Sequence, residues 1–143
     1  MSKRSLPYGV ATTIAVATTL SACGGHASSV RGPTPVERAA IQQAIFDFAA
    51  ANPVHVNPSI TDIRVFPVPT SAQGTARYAA FALADMNDPT AGFAAALLGY
   101  RKTPLSGWRV FDVGSALVGC DLGPAVYGAR KREVLKALGL DCP

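Results

Sequence analysis

Two apolar runs, residues 75–86 (TARYAAFALADM) and 92–102 (GFAAALLGYRK), lie on either side of the short polar segment 87–90 (NDPT). Asn, Asp and Pro are turn residues, each for its own conformational reason. A connection this short favours antiparallel neighbours, because parallel strands need a crossover of a dozen residues or more. The stretch therefore predicts a β-hairpin at the centre of the fold.

Two further apolar runs extend this hairpin in both directions, residues 60–68 before it and 108–117 after it. The segments 70–74 (TSAQG) and 103–107 (TPLSG) have the composition of turns. Four consecutive strands with short connections predict an antiparallel meander. The first run is the natural edge strand, since Pro67 and Pro69 cannot donate to a hydrogen-bond ladder.

One face of the predicted sheet is rich in alanine. In the second run, Ala79, Phe81 and Leu83 point one way, and Tyr78, Ala80, Ala82 and Ala84 point the other. In the third run, Phe93 and Leu97 oppose Ala94, Ala96 and Leu98. Alanine also favours helices over strands, so the alternative is that 78–84 or 91–98 is helical.

Helices are predicted at both ends of the domain. Thr34-Pro35-Val36-Glu37 has the pattern of a capping box with proline at the first helical position, and an apolar stripe continues to Phe48. A second helix is predicted over 125–138, ending at Gly139. The fold class is α+β, with the N-terminal helix packed on the alanine-rich face of a four-stranded antiparallel meander. This order is similar to cystatin-like and NTF2-like folds, by analogy alone.

The N-terminus has the features of an export signal. Lys3 and Arg4 precede the apolar run 10–20, which is too short to span a bilayer because a spanning helix needs roughly 20 residues. Leu20-Ser21-Ala22-Cys23 follows, and it resembles the lipobox of bacterial lipoproteins.

The lipobox resemblance implies that the signal peptide 1–22 is cleaved between Ala22 and Cys23, and that palmitate-type acyl chains anchor Cys23 to the extracytoplasmic face of the bacterial cell membrane. The alternative is a secreted protein in which Cys23 is a free thiol. Residues 23–33, rich in Gly and Ser after Cys23, are predicted to be a lipidated flexible tether, and 34–143 a single domain.

The odd number of cysteines agrees with a lipid-anchored, exported protein. Of the three cysteines, acylation would use Cys23 and leave Cys120 and Cys142 as a pair. An oxidising compartment favours a disulfide between them, which would stabilise the fold by about 3 kcal/mol. Two free buried thiols are the alternative.

The C-terminal half also resembles a known group. Residues 108–120 (WRVFDVGSALVGC) and 134–142 (VLKALGLDC) are similar to small exported proteins of unknown function from high-GC Gram-positive bacteria. The resemblance implies a shared fold and bridge but no activity.

Composition and spacing argue against several function classes. Cleavage would remove Lys3 and Arg4, two of the 13 basic residues, and none of the nine acidic ones, so the net charge of the mature chain would fall from +4 to +2. The sequence contains no stripe of basic residues, so nucleic-acid binding is not predicted. No four potential metal ligands have the spacing of a zinc site. The oxygen donors Asp85, Asn87 and Asp88 do not have the spacing of an EF-hand calcium loop, and we expect no cofactor.

Enzymatic catalysis is the least supported of three hypotheses about the function. It would have to bring His55 to Ser115 and to Asp112 or Asp121, and Leu117 stands where a nucleophile elbow needs glycine. We expect no enzymatic activity. Asp112 is expected on the side of Trp108, where an arginine such as Arg64, Arg77 or Arg101 could pair with it.

Two binding functions remain. The favoured one is a non-enzymatic interaction module at the cell envelope, with an unknown envelope protein or polymer as partner and an exposed apolar patch away from the tether. The second is a carrier or sensor of a small apolar ligand in a cavity between helix and sheet. The residues expected to line that cavity are Phe81, Phe93, Leu97 and Phe111. The basic cluster Arg130-Lys131-Arg132 is expected to be a solvated helix face, or else to attract an anionic surface.

Overall fold

A computed structural model describes residues 29–52, 58–69, 77–88, 92–102 and 107–143. The secondary-structure elements in chain order are α1 (Pro35–Ala51), β1 (Ser59–Pro67), β2 (Ala80–Asp88), β3 (Gly92–Arg101), β4 (Gly107–Gly114), α2 (Pro124–Tyr127), a 3₁₀ turn (Gly128–Arg130) and α3 (Lys131–Leu138). The predicted α+β class is confirmed.

The four strands form one antiparallel sheet in the order β1-β2-β3-β4, which confirms the predicted meander. β2 begins at Ala80, five residues later than predicted. Its partner in the ladder is Pro67, the last residue of β1, and one further backbone hydrogen bond joins the Val68 amide to the Ala79 carbonyl at 2.9 Å. β4 ends at Gly114, three residues earlier than predicted, and the chain then turns at Leu117, whose φ is +55°.

Helix α1 packs on the alanine-rich face of the sheet, as predicted. Thr34 and Glu37 form the capping box, and Ile41 and Ile45 are buried against a layer from all four strands. The layer consists mainly of Ile63, Val65, Ala80, Ala82, Ala84, Ala94, Ala96, Leu98 and Val110. The helical alternative for 78–84 and 91–98 is wrong, because burial on both faces of the sheet outweighs the helix propensity of alanine.

The opposite face of the sheet packs against the C-terminal segment. Phe81, Leu83 and Leu97 contact a layer that includes Tyr127, Val134, Leu135 and Leu138. Tyr78 also lies on this face, 4.8 Å from Phe111 between ring centroids, and not on the alanine side as predicted. Tyr78 precedes β2, so strand alternation does not fix its side.

The predicted helix 125–138 is divided into two parts. Gly128 has φ +60° and ψ −135°, which interrupts the helical backbone between α2 and α3. Gly139 ends α3 in the left-handed conformation, as predicted, and the Leu140 amide donates to the Leu135 carbonyl at 2.8 Å. The predicted disulfide Cys120–Cys142 is present, with a Cα–Cα distance of 5.5 Å.

Contacts of the domain begin before the predicted boundary at Thr34. Arg31 pairs with Val65 on the outer edge of β1, through backbone hydrogen bonds of 2.9 and 2.8 Å. Val30 packs beside the aromatic layer on the C-terminal face. The remainder of the predicted tether and Cys23 lie outside the described residues.

Candidate functional site

A pocket of about 220 Å³ opens on the C-terminal face of the sheet, beside the start of β3 and the end of β4. We call it the Phe93–Leu117 pocket. Its lining residues are Arg64, Leu83, Asp85, Phe93, Ala95, Gly114, Ser115, Ala116, Leu117, Val118, Cys120, Gly139, Leu140 and Asp141.

Two large apolar side chains line the pocket and remain exposed to solvent. Phe93 is 58% exposed at the second position of β3, and Leu117 is 57% exposed in the loop after β4. Leu117 also has a left-handed backbone, which costs a residue with a Cβ roughly 1–2 kcal/mol. Strain and apolar exposure at one residue are both unfavourable for folding alone, which is typical of residues kept for binding.

A partly buried ion pair lies among the lining residues. The Arg64 guanidinium donates from Nη2 to both carboxylate oxygens of Asp85, at 3.0 and 3.1 Å, and from Nη1 to the Leu138 carbonyl at 2.8 Å. Arg64 therefore links β1, β2 and the end of α3. Its buried Nε atom makes no hydrogen bond within the described part of the chain. Asp141 adds a second carboxylate to the lining, so the charged lining residues sum to one net negative charge.

The loop that carries Leu117 is held by Gly119. The Gly119 amide donates to Asp112 Oδ2 at 2.7 Å, and the Gly119 carbonyl accepts from the Tyr127 hydroxyl at 2.9 Å. Burial, and secondarily the charge of Asp112, raise the pKa of that hydroxyl well above its ordinary value, so Tyr127 stays a hydrogen-bond donor. The adjacent disulfide fixes the next residue, Cys120.

Asp112 is not on the side of Trp108, and the prediction that it is was wrong. A bulge between Val110 and Asp112 places both Arg109 and Asp112 on the face of Leu97, whereas Trp108 lies on the α1 face. The expected arginine partner Arg64 pairs with Asp85 instead. A single strand cannot reveal a bulge from its own alternation, because the extra residue is set by the pairing with β3.

Of the four residues predicted to line a ligand cavity, three belong to one packed layer, Phe81, Leu97 and Phe111, and Phe93 is not part of it. Phe81 and Leu97 are buried at 2% and 0% exposure, and Phe111 packs edge-on against Tyr78. Only Phe93 of this set lines the Phe93–Leu117 pocket. Aromatic side chains fill the space where the cavity was expected, as the 5.6 Å centroid distance between Phe81 and Tyr127 illustrates.

A second opening of about 410 Å³ lies at the other end of the sheet, between α1 and β4. Its aromatic wall is the pair Tyr100 and Trp108, with ring centroids 5.5 Å apart, and Val36 at its edge is 80% exposed. Sequence reasoning missed this groove, because Val36 has the position of an ordinary residue of the first helical turn.

The residues considered for catalysis and metal binding are also placed in part. Ser115 lines the Phe93–Leu117 pocket, Asp121 is exposed, and His55 lies outside the described residues. Among the described side chains, no three or more of His, Cys, Asp and Glu gather in a way that could hold a metal ion. Asp85, one of the oxygen donors considered for calcium, bonds to Arg64.

The three residues of the basic cluster in the C-terminal segment differ in their contacts. Arg130 pairs with Glu133 at 2.7 Å, Lys131 donates to the Cys120 carbonyl, and Arg132 is exposed. No described helix is long and apolar enough to cross a membrane. Comparison with family models, curated proteins and solved structures found no match for this chain.

Proposed function

We propose that this protein is a lipid-anchored, non-enzymatic binding protein of the bacterial cell envelope, and that the Phe93–Leu117 pocket is its binding surface. The observation that carries the proposal is the joint exposure of Phe93 and Leu117 at the edge of a pocket with charged side chains. The lipobox resemblance at Leu20-Ser21-Ala22-Cys23 supports the membrane address.

The size of the pocket favours a protein partner over a free small molecule. Small-molecule sites occupy about 300–1,000 Å³, and this pocket has about 220 Å³. One inserted side chain fits such a volume. An apolar side chain of the partner would contact Phe93 and Leu117, in the way that apolar anchors fill pockets at the centre of interfaces.

The charge of the pocket indicates which kind of residue lies beside that apolar side chain in the partner. Asp85 is neutralised by Arg64, and Asp141 is exposed without a described hydrogen bond. A basic group on the partner would complement Asp141. The proposed partner is therefore an envelope protein that presents an apolar residue beside a lysine or arginine.

Quantitative capture from a detergent extract of the envelope tests this proposal. The bait is the chain from residue 24 onward, and the test variant is Phe93→Ser combined with Leu117→Ser. Phe46→Ser is the matched control, because Phe46 is 46% exposed on α1, across the sheet from the pocket. Circular dichroism verifies that each bait is folded.

We expect the double variant to lose at least one protein that both the wild type and Phe46→Ser retain, with a loss of roughly tenfold or more for two exposed apolar anchors. Capture that is identical for the wild type and the double variant would refute the role of the pocket.

A further inference from the structure

The two edge strands of the sheet differ in how they are covered. The outer edge of β1 is paired at Val65 with Arg31. The outer edge of β4 has no backbone partner within the described part of the chain. An uncovered edge presents a row of free amide and carbonyl groups that another strand can pair with.

The side chains of β4 are suited to such a pairing on both faces. Trp108, Val110 and Val113 lie half-buried on the α1 face, and Phe111 is half-buried on the opposite face. An added strand would remove more of these four side chains from water. Each large apolar side chain moved fully out of water contributes about 1.5–3 kcal/mol, so even partial completion of burial favours association.

The bulge in β4 places its two charged residues on one face. Arg109 pairs with Gly99 and Asp112 with Leu97, two positions of β3 that share a face. In a regular strand, residues three apart would point to opposite faces. Arg109 is exposed and makes no hydrogen bond or ion pair with another described residue.

We propose that two copies of this chain associate through β4, antiparallel about a two-fold axis between Val110 and Phe111, beside the bulge, so that the strand segments on either side of the axis join the two sheets. This register sets Arg109 of one copy opposite Asp112 of the other, twice by symmetry, with each pair on a common face. It also sets Trp108 opposite the second copy's Val113, both on the α1 face.

Charge selects a second copy over an unrelated strand. Charged residues normally protect an edge strand, because an arbitrary partner would bury them unpaired. Here the two charges are opposite in sign and lie symmetrically about the peptide bond between Val110 and Phe111, so a copy of the same strand satisfies both. The Gly119 amide uses Asp112 Oδ2, and a carboxylate has a second oxygen for the arginine.

Sedimentation velocity on the chain from residue 24 onward tests this inference. Concentrations up to roughly 1 mM make a dissociation constant of that size measurable, which corresponds to a binding free energy of about −4 kcal/mol. The test variant is Arg109→Glu, which replaces two attractive cross-strand pairs by two repulsive ones. Arg132→Glu is the control, since Arg132 is exposed on α3 and the charge change is the same.

We expect a reversible dimer whose dissociation constant rises about tenfold or more in Arg109→Glu and stays within about threefold in Arg132→Glu. Hydrogen exchange should slow at the β4 amides as concentration rises. A wild-type chain that remains monomeric throughout, a dimer insensitive to Arg109→Glu, or equal weakening by both variants would overturn the inference. It does not depend on the proposed function.

Discussion

Gly119 is the residue on which the shape of the loop after β4 depends. Its φ of +78° is unstrained only for glycine, its amide and carbonyl hold Asp112 and Tyr127, and Cys120 of the disulfide follows it. A Cβ atom at this position would lie 2.5 Å from the Tyr127 hydroxyl oxygen and 2.6 Å from Leu97 Cδ2. No other side chain fits without displacing the core.

We therefore expect Gly119→Ala to lower the free energy of unfolding by about 2–5 kcal/mol, because backbone strain of about 1–2 kcal/mol adds to overpacking of about 1–3 kcal/mol. Urea denaturation with the disulfide intact measures this. Gly123→Ala is the control, since Gly123 has φ −94° and open space around its Cβ position. Equal destabilisation by the two substitutions would show that Gly119 has no special role.

Some of these residue roles were readable from the sequence and others were not. Thr34, Glu37 and Gly139 act through neighbours within a few positions, so their spacing predicted their caps correctly. Gly119 and Leu117 depend on Tyr127 and on the ladder with β3, contacts that spacing does not encode. Arg64 was predicted as a possible ion-pair partner of Asp112, but it pairs with Asp85. That partner depends on the register between β1 and β2, which the sequence does not show.

At the scale of the element, the start of α1 is joined to the edge of the sheet by one ion pair. Arg31, paired with β1, donates from Nη1 and Nη2 to the two oxygens of Glu37, both at 2.7 Å, and Glu37 also accepts from the Thr34 amide at 2.8 Å. The hydrogen bonds from Arg31, together with those at Thr34, lower the pKa of Glu37 from 4.5 to about 2.

This predicts a pH-dependent effect of Glu37→Gln, which keeps a capping acceptor and removes the charge. A carboxyl whose pKa is lowered by folding stabilises the native state above its ordinary pKa of 4.5 and loses that contribution as pH falls to about 2. We expect the variant to be less stable by about 0.5–1 kcal/mol at pH 7, as for a partly exposed ion pair, and equal to the wild type near pH 2.

Chemical denaturation between pH 7 and pH 2 measures the difference. Asp47→Asn, which removes a charge later in the same helix, where the carboxylate bonds Gln43, is the matched control. A stability difference for Glu37→Gln that stays constant down to pH 2 would contradict the assigned pair.

The elements themselves were predicted better than their boundaries. The number, direction and order of the strands follow from turn chemistry and apolar runs, and these were correct. The start of β2 and the bulge in β4 are decided by the partner strand, and the break at Gly128 by packing of two short helices on the sheet. Local sequence carries little of that information.

At the scale of the whole molecule, the sheet lies between two helical layers of different character. The α1 face is formed largely by alanine and by the branched aliphatic residues isoleucine, valine and leucine, and the C-terminal face is rich in aromatic rings. The disulfide and the Arg64 contacts fix the C-terminal layer, and the Phe93–Leu117 pocket opens beside them. The hypothesis of an interaction module requires an exposed apolar patch, and the sequence did not indicate where on the fold Phe93 and Leu117 would lie.

The proposed role of this pocket rests on a proposed membrane address, and Cys23 is the residue that tests that address. Two or more acyl chains, at about 0.8 kcal/mol per buried methylene, would hold the domain at the bilayer surface. The chain contacts the domain from Val30 onward, so a proposed anchor at Cys23 would leave few residues between lipid and fold.

Metabolic labelling with an alkyne fatty acid, followed by separation of membrane and soluble fractions, measures the anchor directly. We predict a labelled wild-type protein in the membrane fraction, the same result for Cys142→Ala, and an unlabelled Cys23→Ala that leaves the membrane. An unlabelled wild type, or a Cys23→Ala protein labelled as strongly as the wild type, would contradict the account.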